Sequence, residues 1–171
     1  MNVTQIQMRG KKIEARSLEL RNQLWPELDE SRIWVRQSKV GFTTIPRALP
    51  LIHLIMDNLS NGKPVSSIYF SLWSRVYDQG IVTISNPREM AFEAGFSGQR
   101  AENTWASRMK ILKKLNFIDN KPGPSGDFSY ILIWNPYLVI KDLYHKKKIP
   151  EAQYNALFHR AQEVGAEIGR A

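Results

Sequence analysis

Between residues 65 and 134, turn-forming residues divide the chain into segments that are each long enough for one helix or one strand. Residues 65–78 repeat apolar side chains at helical spacing and are closed by Gly80. Residues 81–84 form a β-branched run that is typical of a short strand. This alternation predicts an α+β fold that is mainly helical.

The next segments predict two helices that are joined by a tight turn. Asn86 is a good helix N-cap, and Glu89 stands three residues after it, as in a capping box. The helix that begins there should be only about two turns long, because Gly95 ends it. A turn over residues 96–98 then leads into a longer helix over residues 99–116.

A β-hairpin is predicted after the longer helix. Residues 117–118 open a strand, and residues 128–134 form the return strand. Between them, residues 122–126 contain only proline, glycine and serine, which predicts a flexible hairpin tip. The tip carries no cation, so we expect it to touch at most the backbone of a nucleic acid.

This order of elements resembles the winged helix-turn-helix family of bacterial DNA-binding proteins. The resemblance rests on REMAFEAGFS at residues 88–97 and on TWASRMKILKKLNFI at residues 104–118. It covers residues 65–134, about 70 of the 171 residues. It implies a winged helix-turn-helix core with additional N- and C-terminal helices. More loosely, the whole chain resembles small uncharacterised proteins of bacterial plasmids and mobile elements.

The flanking segments are predicted to pack with this core as one globular unit. Residues 1–62 form an N-terminal helical extension, residues 63–134 the winged helix-turn-helix, and residues 135–171 the C-terminal helices. Within the extension we expect helices over residues 4–24 and 46–60, the first with Ile6, Ile13, Leu20 and Leu24 on one side.

The stretch 49–56 is apolar on nearly every side of its predicted helix. Such a stretch indicates either deep burial or a face shared with another subunit. We therefore expect a homodimer that is held by the outer helices. His53, inside this stretch, is expected to be a core or interface residue.

Positive charge is concentrated on the longer helix of the pair. The chain has a net charge of +8, which favours polyanionic partners. Residues 99–116 hold five cations and one acid, a local net charge of +4. In a helix-turn-helix, the second helix enters the major groove while the first crosses the backbone. A solvated face is the plainer explanation for such a charge run, but the neighbouring motif favours DNA contact.

The residue types on this helix suit both base and phosphate contacts. Ala101, Trp105, Met109, Leu112 and Leu115 mark its buried stripe, with Arg108 at the edge as a partly buried structural arginine. Arginine forks onto guanine and asparagine onto adenine, while lysine and hydroxyl side chains hold phosphates. The predicted base-reading residues are Gln99, Arg100, Asn103 and Ser107. The predicted phosphate contacts are Arg88, Thr104, Lys110, Lys113, Lys114 and Lys121.

Two other groups of side chains leave alternatives open. The lysines at 146–148 fit a second DNA contact, a membrane-surface contact or a helix end favoured by the helix dipole. The five tryptophans are expected to build the core, and stacking platforms for single strands are the alternative.

The sequence favours neither catalysis nor a membrane location. There is no cysteine, and the three histidines are far apart without a metal-ligand spacing, so we expect no metal, no other cofactor and no enzymatic activity. No run of eighteen apolar residues is present, and no apolar signal-peptide stretch follows the basic start. A cytoplasmic location is expected.

These observations predict sequence-specific binding of double-stranded DNA, by a transcriptional regulator. One alternative keeps the DNA and makes the protein an initiator or accessory factor in plasmid replication, partition or transfer. Another is a winged helix that is used only for protein–protein contact.

Overall fold

The computed structural model describes residues 3–33 and 40–166, which belong to two compact units, Met1–Phe42 and Thr43–Ala171. The predicted N-terminal extension, residues 1–62, does not coincide with the first unit. Its second helix belongs to the second unit, where it packs against three other helices.

The first unit is built on one long helix, α1 (Val3–Leu24), as predicted. A 3-10 turn (Glu30–Arg32) follows, and Glu30 forms a 2.5 Å ion pair with Arg21 of the helix. Ile13, Leu20 and Leu24 are each about half exposed. Trp34 and the side chain of Ile6 lie outside the described residues.

The second unit is α+β and mainly helical, as the sequence predicts. Its helices are α2 (Leu49–Leu59), α3 (Ser66–Arg75), α4 (Pro87–Glu93), α5 (Ala101–Lys114), α6 (Pro136–His145) and α7 (Glu151–Val164), and its strands are β1 (Ile81–Thr83), β2 (Ile118–Gly123) and β3 (Gly126–Ile133).

Side chains cap the starts of three helices, and the cap at Asn86 is the one predicted above. The Asn86 side chain accepts a hydrogen bond from the backbone N–H of Glu89, and the Asn135 side chain accepts one from Tyr137. The start of α3 is capped from a distance, because Asp57 of α2 accepts from the backbone N–H groups of Val65 and Ser66. No local pattern announces this last cap, since its partners are eight and nine residues apart.

The three strands form one antiparallel sheet in the order β1-β3-β2. Strand β3 is therefore central, and its Tyr130 pairs with Thr83 on one side and with Lys121 on the other. Pairing in the hairpin continues to Gly123 and Gly126, so the loop is shorter than the predicted tip at residues 122–126.

Hydrogen bonds hold the hairpin tip against the end of β1. The Ser125 hydroxyl donates to the backbone carbonyl of Ile84, and the Ser125 backbone N–H donates to the hydroxyl of Ser129. The Ser129 hydroxyl is itself buried and donates to the Gly126 carbonyl. The predicted flexible tip is thus a hydrogen-bonded turn, because Ser125 in the tip and Ser129 in β3 form hydrogen bonds with backbone groups.

The core of the second unit accounts for one side of the apolar stretch 49–56. Leu49, Ile52, Ile55 and Met56 are all buried within this one chain, and Leu54 remains half exposed. Deep burial, the first of the two predicted explanations, therefore applies to this side of α2.

The sequence predicts that the five tryptophans build the core, but the structure shows that two of them do not. Trp105 is fully buried, and the half-buried Trp73 donates to the Thr44 carbonyl at 2.9 Å. Trp25 and Trp134 are exposed over about half their surface.

Candidate nucleic-acid interface

Helices α4 and α5 pack against each other through small side chains, with a glycine-containing turn between them. Ala91, Ala94 and Ala101 are all buried, and their small side chains let two short helices approach closely. Gly95 and Gly98 both have positive φ, 88° and 82°. Residues with a side chain rarely adopt this backbone conformation, so the two glycines permit the sharp turn. The close packing fixes the direction in which α5 presents its outer side.

The predicted buried stripe of α5 is confirmed. Ala101, Trp105, Met109 and Leu112 are buried, and Leu115 is half-buried. Trp105 contacts Phe128 of β3 edge-to-face at 5.8 Å between ring centroids. The helix is thereby packed against β3.

The structure brings four of the predicted site residues together on one exposed stripe of α5. Asn103, Ser107, Lys110 and Lys114 are separated by four, three and four residues, the spacing at which helical side chains share a face. All four are exposed. We call this set the α5 stripe. It combines an amide, a hydroxyl and two lysines, and it contains no acid.

Two predicted base-reading residues lie just before the helix instead of inside it. Gln99 and Arg100 belong to the turn, and Arg100 occupies the N-cap position of α5 with φ −98° and ψ 5°. The predicted start at residue 99 was therefore two residues early, because Gly98 and its neighbours form a turn. Both side chains are exposed at the N-terminal end of α5.

Thr104 and Arg108 lie on the half-buried side of α5. Thr104 is therefore less accessible than the α5 stripe. Arg108 is half-buried as predicted, and its Nη1 is buried with no hydrogen-bond partner among the residues that the structure describes.

Two predicted phosphate contacts are directed elsewhere. Lys113 lies off the α5 stripe, with its Nζ 3.5 Å from the carboxylate of Asp119 on β2. Lys121 pairs with Tyr130 across β2 and β3. The neighbouring pair, Asn120 and Ile131, faces inward. Because side chains alternate along a strand, Lys121 lies on the outer face of the sheet. The structure therefore does not place Lys121 beside the α5 stripe.

Arg88 is exposed in the first turn of α4, next to a cluster that sequence reasoning missed. The guanidinium of Arg75, at the end of α3, binds the carboxylates of both Glu89 and Glu93. The hydrogen bonds that Arg75 donates to Glu93 and then to Glu89 raise the pKa of Arg75. The i, i+4 spacing of the two glutamates was the available signal, but nothing local indicated that their partner comes from α3.

No cluster of histidines, cysteines or acids that could hold a metal ion occurs among the described residues. Across the same residues, no helix has the length and apolar character needed to cross a membrane. Comparisons of the chain with protein-family models, with curated proteins and with solved structures found no match.

Proposed function

We propose that this protein binds double-stranded DNA sequence-specifically through α4 and α5, as a winged helix-turn-helix, and acts as a transcriptional regulator in the cytoplasm. The observation that carries the proposal is the α5 stripe, which lies on the second helix of a tightly packed pair. A helix in that position is the one that enters the major groove in helix-turn-helix proteins. The proposed role is binding, without catalysis.

The order of elements in the second unit supports a winged arrangement of this helix pair. Helix α3, strand β1, helices α4 and α5, and then the hairpin β2–β3 follow one another along the chain. Strand β1 pairs with β3, which closes the small sheet behind α5. The same order is the one that the family resemblance implies.

The chemistry of the α5 stripe supports a division of roles along the helix. Arg100 and Asn103 are at its N-terminal end, from which recognition helices contact base edges. Lys110 and Lys114 lie two to three turns further along, where we expect phosphate contacts. Arg88 adds a phosphate contact from α4. Lys113, paired with Asp119, contributes less than its charge alone would suggest.

Duplex binding by this surface should depend steeply on salt, because lysines that neutralise phosphates release counterions. Fluorescence anisotropy with a random duplex and with a duplex selected from random DNA measures this directly. The double variant Lys110→Ala/Lys114→Ala should lower the salt slope by roughly two on both duplexes.

A matched control removes the same charge from outside the helix pair. Lys11→Ala/Lys12→Ala alters two exposed lysines of α1 and should affect the salt slope less. Equal losses in both double variants would reduce the effect to net charge. Undetectable duplex binding at low salt would favour a winged helix used only for protein contact.

We propose in addition that the protein is a homodimer, held by its outer helices. Support comes from α1, where Ile13, Leu20 and Leu24 share one side of the helix and are each more than half exposed. Pairing with a second copy would bury these three side chains. Sedimentation equilibrium of the full chain tests this, and a monomer of 19.8 kDa at micromolar concentration would contradict it.

A further inference from the structure

The outer face of the sheet carries large side chains that the described part of the chain leaves partly exposed. Tyr130, Leu132 and Trp134 alternate along the central strand and its end, and they are 39%, 37% and 47% exposed. Ile81 of β1 pairs with Leu132 and is 51% exposed. The centre of a sheet face is normally its best covered part, so this exposure identifies a contact surface.

This face lies opposite the buried, inner side of the sheet. The inner side is defined by Val82 and Ile131, which pair with each other and are both buried. Side chains alternate along a strand, so Tyr130 and Leu132 project away from that core. An inference about the outer face therefore does not rest on the proposed duplex contact of the α5 stripe.

The outer face carries one cation and one carboxylate on β2, Lys121 and Asp119. Lys121 pairs with Tyr130 across β2 and β3 and is exposed. The carboxylate of this face, Asp119, lies 3.5 Å from the Nζ of Lys113. The backbone N–H of Asn120, then Lys113 and Lys121, lower the pKa of Asp119. Its negative charge is thus already compensated within the chain.

We propose that this face binds single-stranded nucleic acid, with bases stacked on Tyr130 and Trp134 and the backbone held by Lys121. Aromatic rings on an open sheet beside a cation are the surface on which unpaired bases stack. Tyr130 lies in β3 and Trp134 directly follows that strand, so the two residues are four positions apart, roughly 13 Å along extended chain. Each ring therefore takes a base of its own, and Leu132 packs between them.

The observations favour a nucleic acid over a protein partner. The aromatic residues are a tryptophan and a tyrosine, whose flat faces suit any base. Lys121 stands beside Tyr130 on the edge strand β2, where its ammonium can reach the phosphate next to a base stacked on that ring. With a chain charge of +8, the face lies in a field that attracts polyanions.

The test uses the full chain and a short fluorescent oligothymidine, which forms no duplex. Trp134→Leu and Tyr130→Leu keep an apolar side chain but remove the stacking surface. Each should weaken oligothymidine binding roughly five- to a hundredfold, while Trp134→Phe keeps most of it. Lys121→Ala should lower the salt slope by roughly 0.7, the value for one phosphate contact on a single strand.

Trp25→Leu is the matched control, because Trp25 is a tryptophan in the first unit that is also exposed over about half its surface. It should leave oligothymidine affinity unchanged. Far-ultraviolet circular dichroism confirms that each variant is folded, and Trp134→Phe provides a test if a leucine variant is not. Wild-type affinity in both leucine variants, or an equal loss in Trp25→Leu, would overturn the proposal. So would leucine variants that lose self-association while oligothymidine affinity stays unchanged, since the face would then be a protein interface.

Discussion

Asn103 and Lys114 share the α5 stripe, yet their side chains can form different contacts. The amide of Asn103 can bond to two atoms of one base, whereas the ammonium of Lys114 is a point charge that suits any phosphate. Asn103→Ala should therefore cost about 1–3 kcal/mol on the selected duplex and little on random DNA. Lys114→Ala should weaken both duplexes alike.

The ratio of selected to random affinity, measured by anisotropy at fixed salt, separates the two roles. An unchanged ratio in Asn103→Ala would mean that this end of α5 does not read bases. Ser107→Ala is a useful reference on the same stripe, because serine contacts are less specific for one base.

His53 should make the stability of the second unit depend on pH. Its Nε2 is buried without a hydrogen-bond partner among the described residues, and its ring meets Tyr69 and Phe70 edge-on at 6.1 and 6.2 Å. Burial lowers the pKa of His53, and Asp57 offsets part of that effect. The unfolded chain therefore binds this proton at a higher pH than the folded chain.

The free energy of unfolding should consequently be highest above the ordinary histidine pKa of 6.5 and fall as the pH drops through it. Urea unfolding at pH about 7.5 and about 5.5 measures the difference, over a range in which most carboxylates stay ionised. His53→Gln should reduce the difference, and His159→Gln, at an exposed position, should not. A pH response that survives in His53→Gln would assign it to other groups.

At the scale of the element, the β2–β3 hairpin depends on Gly123. A Cβ atom there would lie 2.6 Å from Cε2 of Tyr130 and 2.8 Å from Cβ of Ser129. The tyrosine ring can rotate away, but Ser129 is buried and hydrogen-bonded to Gly126. Gly123→Ala should therefore shift the strand and destabilise the unit by about 1–3 kcal/mol.

Chemical denaturation measures this cost. Gly10→Ala is the matched control, because a Cβ at Gly10 in α1 meets nothing within 4 Å. That change should be neutral or should strengthen the helix. Equal stability of Gly123→Ala and the wild type would show that the bulge between Lys121 and Gly123 relaxes freely.

At the scale of the whole molecule, the second unit should fold without the first. Among the described residues, the buried apolar core lies between Ala48 and Ala161. The indole of Trp73 bonds to Thr44, which belongs to the same unit. A fragment of residues 43–171 should therefore unfold cooperatively, with a midpoint within a few degrees of that of the full chain.

Thermal unfolding followed by near-ultraviolet circular dichroism tests this, because the signal reports the packing of Trp105 and Tyr69. A fragment with helical content but no near-ultraviolet signal would be a molten globule and would contradict the prediction. The same fragment, compared with the full chain by sedimentation, also reports whether residues 1–42 contribute to self-association.

Much of the fold could be predicted because its signals are local. Asn86 and Asn135 begin their helices, and the order from α3 to β3 follows from turn residues and side-chain periodicity. On α5 the buried stripe predicted its opposite, exposed face, so Asn103, Ser107, Lys110 and Lys114 could be grouped in advance. Capping and periodicity involve residues within four positions of each other, which is why sequence alone conveys them.

The remaining features depend on residues that are far apart in the chain. Asp57 caps α3, Arg75 joins α4, and Lys113 turns to Asp119 only because packing brings those elements together. Trp105 and Trp134 are the same residue type, yet one is buried and the other exposed. Sequence by itself determined the elements and the inward side of α5. Only the tertiary structure decided which apolar faces were covered, because burial depends on what packs against a side chain and not on its own chemistry.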